Sequence, residues 1–149
     1  MKQNVIILVG PSGSGKSTFA ALHRGDATVV CSADDYFATS DGGYDFRPED
    51  LGEAHGACLI TFIDAVACEI EDVIVDNTNC TAIEVAPYLA IAQAYGATVE
   101  VRVFDAPLDT LVSRAQHGAP EHAIKRQQAN LHAMLADWPP WWPEPIHNK

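Results

Sequence analysis

Hydrophobic positions along the chain alternate between short unbroken runs and longer stripes at three- and four-residue spacing. The first run, Val5-Ile6-Ile7-Leu8-Val9, contains no polar residue, as expected of a strand covered on both faces of a parallel sheet. Thr28-Val29-Val30-Cys31-Ser32 and Val73-Ile74-Val75 have the same character. From Thr98 to Phe104 the pattern changes, with Val99, Val101 and Val103 alternating with Glu100 and Arg102. Alternation predicts a half-covered strand at a sheet edge.

Between these runs lie predicted helices. The first spans Gly15 to about Arg24. The second opens at Pro48, with Glu49 and Asp50 complementing its dipole. Its stripe is Leu51, Ala54, Cys58, Phe62 and Val66, widened by Leu59 and Ile63. His55 lies beside that stripe and reads as a half-exposed histidine. A third helix starts in a capping box, Thr81-Ala82-Ile83-Glu84. Pro87 should kink it or tighten its first turn, and Gly96 suits the position past its end. Two more follow, Leu108 to about Ala115 and Glu121 to about Ala136, separated by a break at His117-Gly118-Ala119-Pro120.

This strand–helix alternation predicts an α/β fold, a three-layer αβα sandwich around a four-stranded parallel sheet of order 2-3-1-4 with the first strand central. Residues 1–137 read as one domain, with a helical lid at about 106–122. Residues 138–149 form a Trp/Pro-rich tail that cannot be helical. Its three tryptophans either clamp the tail to the body or offer a base-stacking platform.

Composition narrows the function classes. The chain has 149 residues, 48% of them hydrophobic and 19% charged, enough to build one core. No apolar run approaches membrane-spanning length, and the first strand begins without a separate signal region, so a cytoplasmic location is expected. Cys31, Cys58, Cys68 and Cys80 form no C-x-x-C pair and read as small buried thiols. The formal net charge is −11, and no Lys or Arg lies between Arg47 and Arg102. Extended duplex binding, which needs a basic face, is excluded. A nucleic-acid partner would have to be held by a single end, or else the partner is a small molecule.

The chemistry concentrates in Gly10-Pro11-Ser12-Gly13-Ser14-Gly15-Lys16-Ser17-Thr18, between the first strand and the first helix. It fits the phosphate-binding pattern G-x-x-x-x-G-K-[ST] in the required strand–loop–helix context. Glycines let successive N–H groups turn toward one anion at the positive end of a helix. Lys16 then reaches the β- and γ-phosphates of ATP or GTP, and the Ser17 hydroxyl ligates Mg2+. In open parallel sheets ligands sit at the carboxyl ends of strands, which gathers Asp34, Asp35, Asp76 and the lid residue Arg114 beside this loop. Asp34, the first acid off the second strand, is the candidate general base. Asp35 orients Asp34 or binds magnesium through water.

Gly10–Thr18, Ser32-Ala33-Asp34-Asp35-Tyr36-Phe37, Val75-Asp76-Asn77-Thr78-Asn79, and Phe104-Asp105-Ala106-Pro107 with Arg114 together resemble the kinase domain of phage-type polynucleotide 5′-hydroxyl kinases. The likeness is closer to the small stand-alone kinase-like, AAA-type ATP-binding proteins related to them. In those proteins a loop like Gly43-Tyr44-Asp45-Phe46, a stretch like Glu53-Ala54-His55 and a segment like His117–Pro120 are typical. The resemblance covers nearly the whole chain short of the tail. It implies that Asp34 takes the proton of the attacking hydroxyl, that Arg114 clamps the donor phosphates, and that Asp76 and Asn79 stand near the acceptor pocket. The chain departs from the family at Phe37, where those kinases carry an arginine for the acceptor phosphate; Arg47 is the nearest replacement. The second lid arginine is replaced by Gln116-His117-Gly118, with Lys125 or Arg126 as substitutes.

The sequence therefore predicts an ATP- and Mg2+-dependent phosphotransferase. Its acceptor is the 5′-OH of a nucleic-acid end or, alternatively, a nucleoside, modified base or other small hydroxyl compound. A nucleotide-binding switch without phosphotransfer is the reading from another class.

Overall fold

A computed structural model describes residues 2–115 and 118–148. Five strands form one parallel sheet: β1 Asn4–Val9, β2 Thr28–Cys31, β3 Asp72–Asp76, β4 Thr98–Val103 and β5 Ile146–His147, in the order β2-β3-β1-β4-β5. The helices are α1 Lys16–His23, α2 Leu51–Ala67, α3 Ala82–Ala94, α4 Leu108–Arg114 and α5 Glu121–Ala136.

Strand alternation divides the core into two unequal layers. Val5, Ile7, Val9, Val73, Val75, Val101 and Val103 face the larger one, filled by Phe62, Val66 and Ala54 of α2, Tyr88 and Leu89 of α3, and Leu131 and Met134 of α5. Leu8 and Ile74, one residue out of phase, face a thin layer closed by Ala20 and Phe104 with Phe19 packed against them. Val5, Ile7, Leu8 and Val9 are wholly buried, as the unbroken apolar run requires.

Register sets where the strands end. Leu8 pairs with Asp76, Cys31 with Val75 and Val9 with Val103. The turns that follow β1, β2, β3 and β4 therefore emerge along one edge. Here β2 is separated from β1 by β3, so any reach of Asp34 toward the phosphate loop depends on the turn after β2. That turn is a 3-10 helix, Ala33–Phe37, capped by the Ser32 hydroxyl, which accepts from the Asp34 N–H at 3.2 Å.

Local expectations fare unevenly. α2 buries Ala54, Cys58, Phe62 and Val66, but Leu51, its first residue after a separate 3-10 turn at residues 48–50, is exposed. α3 runs through Pro87. Thr81 stands at its N-cap, yet its hydroxyl bonds the Glu84 carboxylate at 2.6 Å instead of a backbone N–H. Of the four cysteines, Cys31, Cys58 and Cys80 are buried and Cys68 is exposed. No described helix is long and apolar enough to cross a membrane.

The tail holds the clearest surprise. Trp138 and Trp142 meet edge to face at 5.1 Å and pack on the larger core layer, while Trp141 is exposed. The Trp138 indole donates to the Pro143 carbonyl at 3.0 Å. Beyond them Ile146 and His147 pair in parallel with Arg102 and Val103. The alternating strand β4 is thus a free edge only over its first residues, since the chain end returns to cover its carboxyl half. A two-residue strand has too little periodicity to be seen in sequence.

Candidate functional site

The loop between β1 and α1 takes its shape from glycine. Gly13 and Gly15 adopt φ of +82° and +102°, a region that residues with a Cβ rarely enter. The loop is also packed from above. A Cβ on Gly13 would lie 2.2 Å from the Leu111 carbonyl oxygen in α4. Gly13→Ala is therefore expected to destabilise the fold by about 1–3 kcal/mol and to displace α4, which carries Arg114; thermal melting checks this, and an unchanged Tm would refute it.

Lys16 turns back onto the loop. Its ammonium donates to the carbonyls of Gly10 at 2.7 Å and Pro11 at 2.8 Å, and the residue is 7% exposed. Burial pulls its pKa below the ordinary lysine value, against the opposing charge of Asp76. Beside it the Ser17 hydroxyl donates to Asp76 Oδ2 at 3.0 Å. Burial pushes the Asp76 carboxyl above its usual range, while Lys16 and the Ser17 hydrogen bond oppose that rise.

The stretch after β3 works as a set of staples. The Asn77 side chain accepts from the Ala33 N–H at 2.8 Å and donates to Cys58 Sγ at 3.4 Å, fixing the Asp34 turn across the end of β3. Asn79, at φ +50°, donates to the Leu8 carbonyl at 2.9 Å, and the Gly10 N–H donates to the Thr78 carbonyl at 2.8 Å. Asn77→Leu would leave the buried Ala33 N–H without its acceptor and is expected to cost about 1–3 kcal/mol in chemical denaturation. A loss below about 0.5 kcal/mol would contradict the staple.

These elements enclose a cleft of about 590 Å³, the size of a small-ligand site. Ser12, Gly13, Ser14, Gly15, Lys16, Ser17 and Thr18 line it, together with Asp34, Asp76 and Arg114. Phe19, Leu22 and Phe104 make an apolar wall, and Asn148, brought in by β5, completes the rim. Asp34 also looks outward: its Oδ1 accepts from the Tyr44 hydroxyl at 2.9 Å.

Six residues named from sequence stand elsewhere. Phe37 is 4% exposed in the larger core layer, so it cannot face an acceptor. Arg47 lies on the surface, paired with Asp45 at 3.0 Å. Asn79 is 1% exposed and occupied with the backbone. Asp35 is exposed and outside the cleft lining. Lys125 and Arg126 are likewise exposed and away from the cleft, while Gln116 and His117 lie outside the described residues.

Sequence reasoning missed other contributors. Gln127 of α5 accepts from the Ser12 N–H of the loop at 2.9 Å. Asp105, after β4, accepts from His132 at 2.7 Å and Gln128 at 2.9 Å, which ties α5 to the same edge. Burial pushes the Asp105 carboxyl up, but those hydrogen bonds hold it below the ordinary range. No local pattern marks Gln127, 115 residues from its partner.

Comparison with known proteins agrees with this architecture. The family model of the AAA domain matches residues 5–140. Over 129 residues the chain is 36% identical to NEDD4-binding protein 2 of Homo sapiens, covering 82% of this chain and 7% of that protein. A chain in the structure of the Pnkp1/Rnl/Hen1 RNA repair complex superimposes with a TM-score of 0.75 at 25% identity, over 97% of this chain and 48% of that one. The Mycobacterium tuberculosis APS kinase CysC, in complex with AMPPNP and APS, shares the fold with a TM-score of 0.55 at 18% identity, over 78% and 70% of the two chains. The chain thus spans less than half the length of the first two relatives.

Proposed function

The chain belongs to the AAA-domain family, with a P-loop kinase-like fold, and from that premise we propose that it transfers the γ-phosphoryl group of ATP or GTP to a hydroxyl. The observation that carries the reading is the convergence on one cleft of Lys16, Arg114, the Ser17–Asp76 pair and the carboxylate of Asp34. Residues 1–137 form the kinase unit, with a lid at about 106–122 and the tail packed on the same domain.

Each residue has a defined task. The loop N–H groups of Gly13 and of residues 15–18 cradle the phosphates, and Lys16 exchanges its carbonyl partners for phosphate oxygens. Arg114 neutralises charge on the transferring group. Asp34 takes the proton of the acceptor hydroxyl as its oxygen bonds the γ-phosphorus; the bond from that phosphorus to the bridging oxygen breaks, and the nucleoside diphosphate leaves. The hard oxygen donors Ser17 and Asp76 fit Mg2+, which when bound neutralises phosphate charge. Asp76 replaces Asp35 in this role because it is the carboxylate that touches Ser17.

Incubation with γ-labelled ATP, Mg2+ and a panel of hydroxyl acceptors should move label to one of them. Hydrolysis alone, unaffected by any acceptor, would instead support a nucleotide switch. The resemblance of the motifs to polynucleotide 5′-hydroxyl kinases, with the likeness to a chain of an RNA repair complex, favours a 5′-OH end as acceptor. A small acceptor is favoured by the burial of Phe37 and the pairing of Arg47, since neither offers a grip for an acceptor phosphate.

A further inference from the structure

Resting on the phosphotransferase reading above, we infer that Tyr44 is a positioning residue for the base. Its hydroxyl holds one carboxylate oxygen of Asp34, so that the other meets the acceptor hydroxyl in a fixed direction. Asp34 lines the cleft from an exposed position on the turn after β2. A short side chain there turns about two torsions unless something holds it. The Tyr44 hydroxyl does so, donating to Oδ1 at 2.9 Å from 10 residues along the chain.

The donor is better anchored than the group it holds. Tyr44 is half-buried and packs on the larger core layer. The buried Phe37 meets its ring edge-on at 6.0 Å. Its backbone pairs with Ala38 in an antiparallel bridge. Around that bridge Thr39 N–H donates to Gly43 O at 3.0 Å and Asp45 N–H to Phe37 O at 2.8 Å. Phe37 belongs to the same 3-10 turn as Asp34, so base and donor share one support. Position 37, which cannot face an acceptor, thus serves the base by packing against Tyr44. Burial, with the Asp34 hydrogen bond adding to it, pushes the Tyr44 hydroxyl well above the ordinary tyrosine value. It therefore keeps its proton and stays a donor.

Chemistry gives the contact its purpose. A general base works only within hydrogen-bond reach of the proton it takes, and a misplacement of about 1 Å costs about 10²-fold in rate. Tying one oxygen to an anchored phenol limits rotation of the carboxylate without using up its capacity to accept a proton. Tyr36 supplies the contrast. Its hydroxyl donates to Glu53 of α2 at 2.7 Å, and neither residue lines the cleft. That bond ties the turn to a helix and serves the fold alone.

Tyr44→Phe keeps the ring and its packing and deletes only the hydroxyl. With γ-labelled ATP and the acceptor that the panel identifies, kcat should fall about tenfold, while KM for ATP and Kd for Mg-AMPPNP stay within about twofold. In an Asp34→Asn background no base is left to place, so adding Tyr44→Phe should slow transfer by no more than about twofold. Tyr36→Phe should leave kcat within about twofold of the unaltered protein. One readout needs no turnover: the carboxyl ¹³C resonance of Asp34 in the nucleotide-free protein should move more in Tyr44→Phe than in Tyr36→Phe. An unchanged kcat in Tyr44→Phe, a matching loss of nucleotide affinity, an equal loss in Tyr36→Phe, full additivity with Asp34→Asn, or an unmoved Asp34 resonance would each overturn the inference. If the unaltered protein passes label to no acceptor, the kinase reading falls, and the resonance alone decides whether Tyr44 places the Asp34 carboxyl.

Discussion

Asp34→Asn is expected to slow phosphoryl transfer by a factor of roughly 10²–10⁴ while nucleotide affinity stays near that of the unaltered protein. The substitution keeps size and the capacity to accept from Tyr44, whose hydroxyl lies 2.9 Å from Oδ1. It removes only the ability to take a proton. The Asp34 side chain is exposed and its turn is held by Ser32 and Asn77 through backbone N–H groups, so folding should not suffer. Single-turnover transfer of labelled phosphate separates the chemical step from binding. A rate within a few fold of the unaltered protein would remove the assigned base.

Asp76→Asn should produce two effects of opposite sign. Transfer should fall by about 10²–10³, because an amide binds Mg2+ more weakly than a carboxylate and Asp76 is the acid that touches Ser17. Stability should rise, because the fold pushes this carboxyl above its ordinary value of 3.8, chiefly by burial. The sign follows from linkage. Below about pH 3.8 the proton is held in both folded and unfolded chains, and Asp76 imposes no charge burial. As pH rises from 3.8 toward the raised folded value, the unfolded chain releases this proton while the folded chain still holds it, so stability falls across that window and stays lowered above it. Asparagine cannot ionise, so the Tm difference between variant and unaltered protein should be small at acid pH and grow toward neutrality. A variant less stable than the original at neutral pH would contradict this, and would mean that the attraction of Lys16 outweighs desolvation.

How much of this was legible can be judged residue by residue. The glycine-rich loop was legible as a unit, since Gly10–Thr18 is contiguous and residues 12–18 line the cleft together. The central strands were equally plain, because burial on both faces leaves no room for a polar residue. The acceptor side was not. Phe37 follows Asp34 by three residues, yet a 3-10 turn rotates it into the core. Asn79 sits in a polar stretch but spends its side chain on the Leu8 carbonyl. The contacts that decide that side, Tyr44 to Asp34 and Asn77 to Ala33, join segments 10 and 44 residues apart.

By itself the sequence determined the α/β class, the strand order around a central β1 and the phosphate loop, because those follow from local periodicity and from a motif whose parts are adjacent in the chain. Tertiary structure alone decided which acid pairs with Ser17, that Gln127 bonds the glycine-rich loop and Asn148 reaches the cleft, that residues 146–147 extend the sheet, and that the Tyr44 hydroxyl bonds Asp34. Those facts depend on strand register and on side-chain contacts across long separations, which no single segment encodes.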